Sequence, residues 1–224
     1  SGQLYKEEGR IEYPVIDKEA LPIEFDDETI YKLRVREKMD EEVPEGVLPS
    51  KNHFLLVEVL EKNVSYPELE AILEEYRKPV ILHDDLLGEL VYNRQIKTFE
   101  GSVLWQDEKI YITLDVDKDN KGGITKGKKA LKAMISNQSK WDEDLPYFAA
   151  KSLIKCAREW DESDARESEI SEEDFAKRIR ISSIWMTSGG LFSVYFDDDD
   201  IFFGHTIRVS GSLKKGLVSA DIEG

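Results

Sequence analysis

Lys109-Ile110-Tyr111-Ile112-Thr113-Leu114-Asp115-Val116 decides the class of this fold. Ile110, Ile112, Leu114 and Val116 share one side of an extended chain, and Tyr111, Thr113 and Asp115 share the other. A period of two over eight residues is the signature of a half-buried strand. Downstream the period changes. Leu131, Met134, Ile135 and Trp141 fit one helix, and Leu145, Phe148, Leu153, Cys156 and Trp160 fit a second. Ser171 precedes a short third helix as its cap, with Asp174 in the first turn. The last fifty residues return to strands, at Ile181–Thr187, Leu191–Phe196, Ile201–Val209 and Val218–Ile222. Gly189-Gly190, the aspartate run 197–200 and Gly216 supply the turns.

Upstream, Val80–Leu82, Leu87–Asn93 and Ser102–Trp105 are further strands. The first third reads as an irregular arm (residues 1–29), strands at Ile30–Arg36 and Phe54–Leu60, and a loop over residues 38–51. Ser65 caps a helix, with Glu68 three residues after the cap, Pro67 in the first turn and Leu69, Ile72, Leu73 and Tyr76 on the buried face. Strands, then helices, then strands give an α+β class: antiparallel-rich β-sheets with three to four packed helices. Two parts are expected, an arm with a β-β-α unit over 1–79 and an α+β domain over 80–224.

The chain of 224 residues carries 31 basic and 47 acidic side chains, a net charge of −16. The excess is uneven. It is −7 over residues 1–50, −4 over 51–100, zero over 101–150 and −5 over 151–224. Such a charge opposes binding to nucleic acid phosphates or anionic lipid and suits a basic partner or cations. No apolar run is long enough to span a bilayer, so no membrane partner is expected. The single cysteine, Cys156, rules out an internal disulfide and fits a reducing, cytoplasmic location. The opening Ser1-Gly2, without Met, reads as an expression remnant and carries no information about a leader.

Leu87-Gly88-Glu89-Leu90, Phe99-Glu100-Gly101 and Trp105 open a pattern that ends on Phe196-Asp197-Asp198-Asp199-Asp200-Ile201-Phe202-Phe203-Gly204-His205. Ile207, Val209, Gly211, Leu213 and Ile222-Glu223-Gly224 complete it. This resembles a bacterial family catalogued as domain of unknown function number 2262, over about residues 80–224. The resemblance implies a fold unit and a bacterial source, and it supplies no catalytic residues.

Three constellations could carry chemistry. Asp115, Asp117 and Asp119 stand like the first, third and fifth ligands of a calcium loop, but Asn120 replaces the turn glycine and Lys126 the bidentate glutamate. Asp197, Asp198, Asp199 and Asp200 lie between two strands, where a cation could relieve their repulsion or a solvated turn could hold them. Gly122 to Lys129 matches a phosphate-binding loop for seven places and fails at the eighth, Lys129 in place of Ser or Thr. His83 beside Asp84 and Asp85 could bind a metal. Alternation puts His205 on an apolar strand face with Ile201, Phe203, Ile207 and Val209, so a packed histidine is the plainer reading. Cys156 lies on an apolar helix face. No catalytic residue is assigned.

The expected function is therefore a non-catalytic acidic module that binds a basic protein partner, immunity-like or regulatory. The alternatives are a metal-dependent hydrolase or calcium-stabilised module, and a structural subunit of an assembly. Of Trp105, Trp141, Trp160 and Trp185, any that is exposed would mark a binding face.

Overall fold

A computed structural model describes residues 4, 9–13, 24–37, 53–117, 123–160 and 170–224. The chain divides into two compact units, Ser1–Lys78 and Pro79–Gly224.

The first unit holds β1 (Arg10–Glu12), β2 (Tyr31–Glu37), β3 (His53–Lys62) and α1 (Pro67–Arg77). β3 is central, with β1 parallel on one side and β2 antiparallel on the other. β1 falls in the arm expected to be irregular. Pro67 does open α1, where its missing N–H costs nothing. Two expectations for this helix fail. Tyr66, not Ser65, holds the N-cap position, and the Ser65 hydroxyl donates instead to Glu70 Oε1 at 2.8 Å. The expected buried face is also absent: no α1 residue is buried, and Ile72 and Tyr76 are 40% and 49% exposed. The loop expected over 38–51 lies outside the described residues.

The second unit is built on one eight-stranded sheet: β4 (Ile81–Asp84), β5 (Gly88–Asn93), β6 (Thr98–Trp105), β7 (Glu108–Asp115), β8 (Arg180–Met186), β9 (Leu191–Asp197), β10 (Thr206–Ser212) and β11 (Gly216–Glu223). The strands lie in chain order across the sheet. Every pairing is antiparallel except β7 with β8, which is parallel. A parallel pair cannot be joined by a hairpin, so the chain must cross over there. α2 (Thr125–Ser136), α3 (Gln138–Trp160) and α4 (Glu172–Arg178) are that crossover. Two four-stranded meanders thus meet at β7 and β8 at the middle of the sheet.

The alternation of β7 sets the faces. Ile110, Ile112 and Leu114 are at most 1% exposed and join Ile184 and Met186 of β8, Phe192, Val194 and Phe196 of β9, and Ile207 and Val209 of β10 in one core. Leu131 and Met134 of α2, Leu145 and Ala149 of α3, and Phe175 of α4 close it from the helix side. Ser171 caps α4, its hydroxyl accepting from the Asp174 amide at 3.1 Å. The helical run breaks at Asn137, whose side chain donates to the Ala133 carbonyl, so Trp141 belongs to α3 and not to the preceding helix. No helix among the described residues is long and apolar enough to cross a membrane.

The expected strand Ile201–Val209 begins only at Thr206. Residues 198–204 are a turn instead, with Asp199, Asp200, Phe203 and Gly204 in the left-handed region. His205 therefore precedes the strand. It is half-buried, its Nδ1 donates to the Phe202 carbonyl at 2.6 Å, and its ring meets Trp160 edge-on.

Candidate binding face

The helices cover one face of the sheet, and the other face carries the remaining half of each alternation. Register places Glu100, Thr113, Trp185, Ser193, Ser210 and Ser219 in one row across six strands. The next row is Ser102, Tyr111, Ser183, Tyr195, Arg208 and Asp221. Trp185 is the diagonal neighbour of Tyr111 on one side and of Tyr195 on the other. Tyr111 is 73% exposed, Trp185 37% and Leu104, diagonal to Tyr111, 65%. Serines fill the places between the rings, so the rings stand above their surroundings.

Carboxylates frame these rings. Asp115 Oδ1 accepts from the Trp185 indole N–H at 2.8 Å, which fixes the plane of that ring. Glu100 accepts from Asn93 and from the hydroxyl of Thr98. Arg208 is already paired with Asp221 at 3.1 Å and Glu223 at 2.6 Å.

The candidate metal ligands are dispersed. Asp115 comes just after Leu114, which pairs with Met186, whereas Asp197 pairs with Arg180 at the other end of β8. Six residue steps of a strand put Asp115 and Asp197 roughly 20 Å apart. They cannot share one ion. Asp117 forms an isolated bridge with Gly123, and Asp119 lies outside the described residues.

Within the 197–200 run the roles diverge. Asp198 is 5% exposed and accepts from three amides, those of Asp200 (3.2 Å), Phe202 (2.6 Å) and Gly204 (3.2 Å). Asp199 is exposed and pairs with Arg178 at 2.8 Å, and Asp197 and Asp200 are exposed.

His83, Asp84 and Asp85 are likewise separated. Strand alternation sends His83 toward Glu89, at 3.3 Å in solvent. The Asp84 carboxylate, 5% exposed, turns the other way onto Lys132 (2.9 Å) and Lys128 (3.1 Å), and accepts from the amides of Leu86 and Leu87. Burial alone would raise its pKa. The two ammonium groups and two amides outweigh that and hold it well below the usual carboxylate range. Asp85 is exposed.

Gly127 has a packing reason. A Cβ there would lie 2.4 Å from the Thr187 carbonyl oxygen, so glycine allows α2 to approach the sheet closely. Cys156 is half-buried against the core. Trp105 is 3% exposed, Trp141 and Trp160 are half-buried, and Trp185 is the exposed tryptophan.

A family model described as "Uncharacterized protein conserved in bacteria (DUF2262)" matches residues 84–222. The chain belongs to this family. The DUF2262 match spans the eight-stranded unit, from Asp84 in β4 to Ile222 in β11. A second model, "Domain of unknown function (DUF7021)", matches residues 1–76, the span of β1 to α1. No curated protein and no solved structure matches the chain. The open face of the DUF2262 sheet is half legible in sequence, since alternation alone puts Tyr111, Thr113 and Asp115 on one side. Alternation in β9 also sets Tyr195 opposite Phe192, Val194 and Phe196, but only the register between distant strands brings it and Glu100 into these rows.

Proposed function

We propose that this chain is a non-catalytic binding module whose partner is a basic protein, and that the partner docks on the open face of the eight-stranded sheet. The observation that carries this reading is the exposure of Tyr111 and Trp185 in the middle of that face, framed by Asp115 and Glu100. Large aromatic groups held above small ones supply anchors at low conformational cost, and exposed apolar surface of this kind marks interaction sites. Carboxylates beside them complement Arg and Lys, and the face of an indole or phenol attracts the same cations. The net charge of −16 would speed such an encounter and make it salt-sensitive. A metal-dependent hydrolase or calcium-stabilised module finds less support, because Asp115 and Asp197 lie beside opposite ends of β8.

Affinity capture from a bacterial lysate tests the reading. The chain should retain a basic protein at low salt and release it as salt rises. Tyr111→Ala with Trp185→Ala should lose it, at about 2 kcal/mol per anchor. A retained partner that ignores both salt and the double substitution would overturn the proposal, as would the absence of any salt-sensitive partner.

A further inference from the structure

The opposite side of the sheet holds a cavity of about 450 Å³ between the β6–β7 turn, the start of α3 and the α4–β8 junction. That is within the range of small-molecule sites. Its floor is buried and apolar, formed by Ile110, Pro146, Ile181 and Phe196, with Trp105 as one wall. Its rim is exposed and charged: Asp107, Glu108 and Asp142 on one side, Lys177 and Arg180 on the other.

Which rim charges are available decides the ligand. Lys177 is already paired with Glu173 at 2.6 Å. Arg180 donates Nη1 to the carbonyls of Lys177 and Ile179. Asp142 Oδ1 accepts from the Trp105 indole N–H at 2.7 Å, which leaves Oδ2 at the mouth. Asp107 and Glu108 have no ion pair among the described residues. Pro146 also removes one donor from the helix beside the cavity. It stands inside α3 and has no N–H, so the Asp142 carbonyl lacks its usual donor four residues on. Arg180 keeps its charge, but Asp107, Glu108 and Asp142 outnumber it, so the mouth is net negative, set beside an indole and above an apolar floor. Carboxylates together with an aromatic face recognise an organic ammonium group.

We infer that this cavity binds a small primary amine with an apolar body, its ammonium among Asp107, Glu108 and Asp142 and its body on the floor of Ile110, Ile181 and Phe196. The site is separate from the open face, and either can stand without the other.

Calorimetric titration of the full chain with 2-phenylethylamine tests this, with 3-phenylpropionate and 2-phenylethanol as matched anionic and neutral probes. The Trp105 indole N–H resonance, assigned with Trp105→Phe, is tracked in parallel. The amine should bind saturably and shift that resonance. The acid and the alcohol should bind at least about tenfold more weakly, the size expected for a charged hydrogen-bond acceptor. Asp107→Asn with Glu108→Gln, the first in the exposed β6–β7 turn and the second at the exposed first residue of β7, should weaken the amine about tenfold without changing the melting temperature. Equal binding of the acid or alcohol would overturn the inference. So would an amine that fails to saturate at millimolar concentration, or one indifferent to the double substitution.

Discussion

A methyl group at position 127 would meet the Thr187 carbonyl oxygen at 2.4 Å and Leu114 Cδ1 at 2.9 Å. Gly127→Ala should gain up to about 1 kcal/mol of helix propensity and lose about 1–3 kcal/mol to overpacking. The nearer obstacle is backbone and cannot rotate away, so a net loss of about 1–2 kcal/mol is expected in chemical denaturation; unchanged stability would mean that α2 can shift on the sheet. In sequence this glycine sits in a phosphate-loop-like run, and nothing local reveals a carbonyl sixty residues on. Asp84 is hidden in a similar way: beside His83 and Asp85 it resembles a metal cluster, but alternation along β4 parts it from His83. Its depressed pKa makes a sign-definite prediction. The stability it contributes is complete above the unfolded carboxylate pKa, about 3.9, and is lost as pH falls toward the lower folded value. Asp84→Asn should therefore be less stable at pH 7, by about 2 kcal/mol, and the gap should narrow from pH 4 to pH 2 in urea melts. A constant gap across that range would contradict the ion-pair role.

Among elements, the β9–β10 turn shows where local pattern is outvoted. Ile201, Phe202 and Phe203 have strand-forming side chains and come after a strand, so a continuous strand through His205 is the natural reading. One buried carboxylate overrides it. Asp198 gathers the amides of Asp200, Phe202 and Gly204, curls the chain through left-handed residues and drops Phe202 into the core. Strand propensity is worth tenths of a kcal/mol per residue, whereas three charge-assisted bonds and a buried phenylalanine are worth several. Asp198→Ala should then cost about 3 kcal/mol, and Asp199→Ala, which breaks one exposed pair with Arg178, less than about 1. If instead the run bound a cation, the four aspartates would matter more evenly and millimolar calcium would raise the melting temperature. Thermal melts of the two variants with calcium and with EDTA separate these cases. Where alternation is strict and uninterrupted, as in β7 and β9, the strands are legible to within a residue. The Ser171 cap is legible too, because its mechanism is contained in four consecutive residues.

For the whole molecule, the division of burial between the two units matters more than the division of charge. Every residue of the main hydrophobic core lies between Leu87 and Val209. In the first unit, Leu56 is the buried hydrophobic among the described residues, and its helix buries none. The α+β class can be read from the chain because the strand–helix–strand order is itself a sequence property. The pairing of β7 with β8 cannot, since it joins residues such as Tyr111 and Ser183, far apart in the chain, and depends on how three helices pack together. That pairing makes one sheet, and so one core, out of two meanders. A chain of residues 79–224 should therefore keep its own cooperative transition, with a melting temperature within a few degrees of the full chain's main transition. Residues 1–78 alone, whose described residues give three strands and one buried hydrophobic side chain, should unfold at lower denaturant or fail to show a transition. Circular dichroism on the two fragments and the full chain decides this. Loss of the cooperative transition from 79–224 would show that the sheet's stability depends on the first unit, and the core between Leu87 and Val209 would then not be sufficient for the fold.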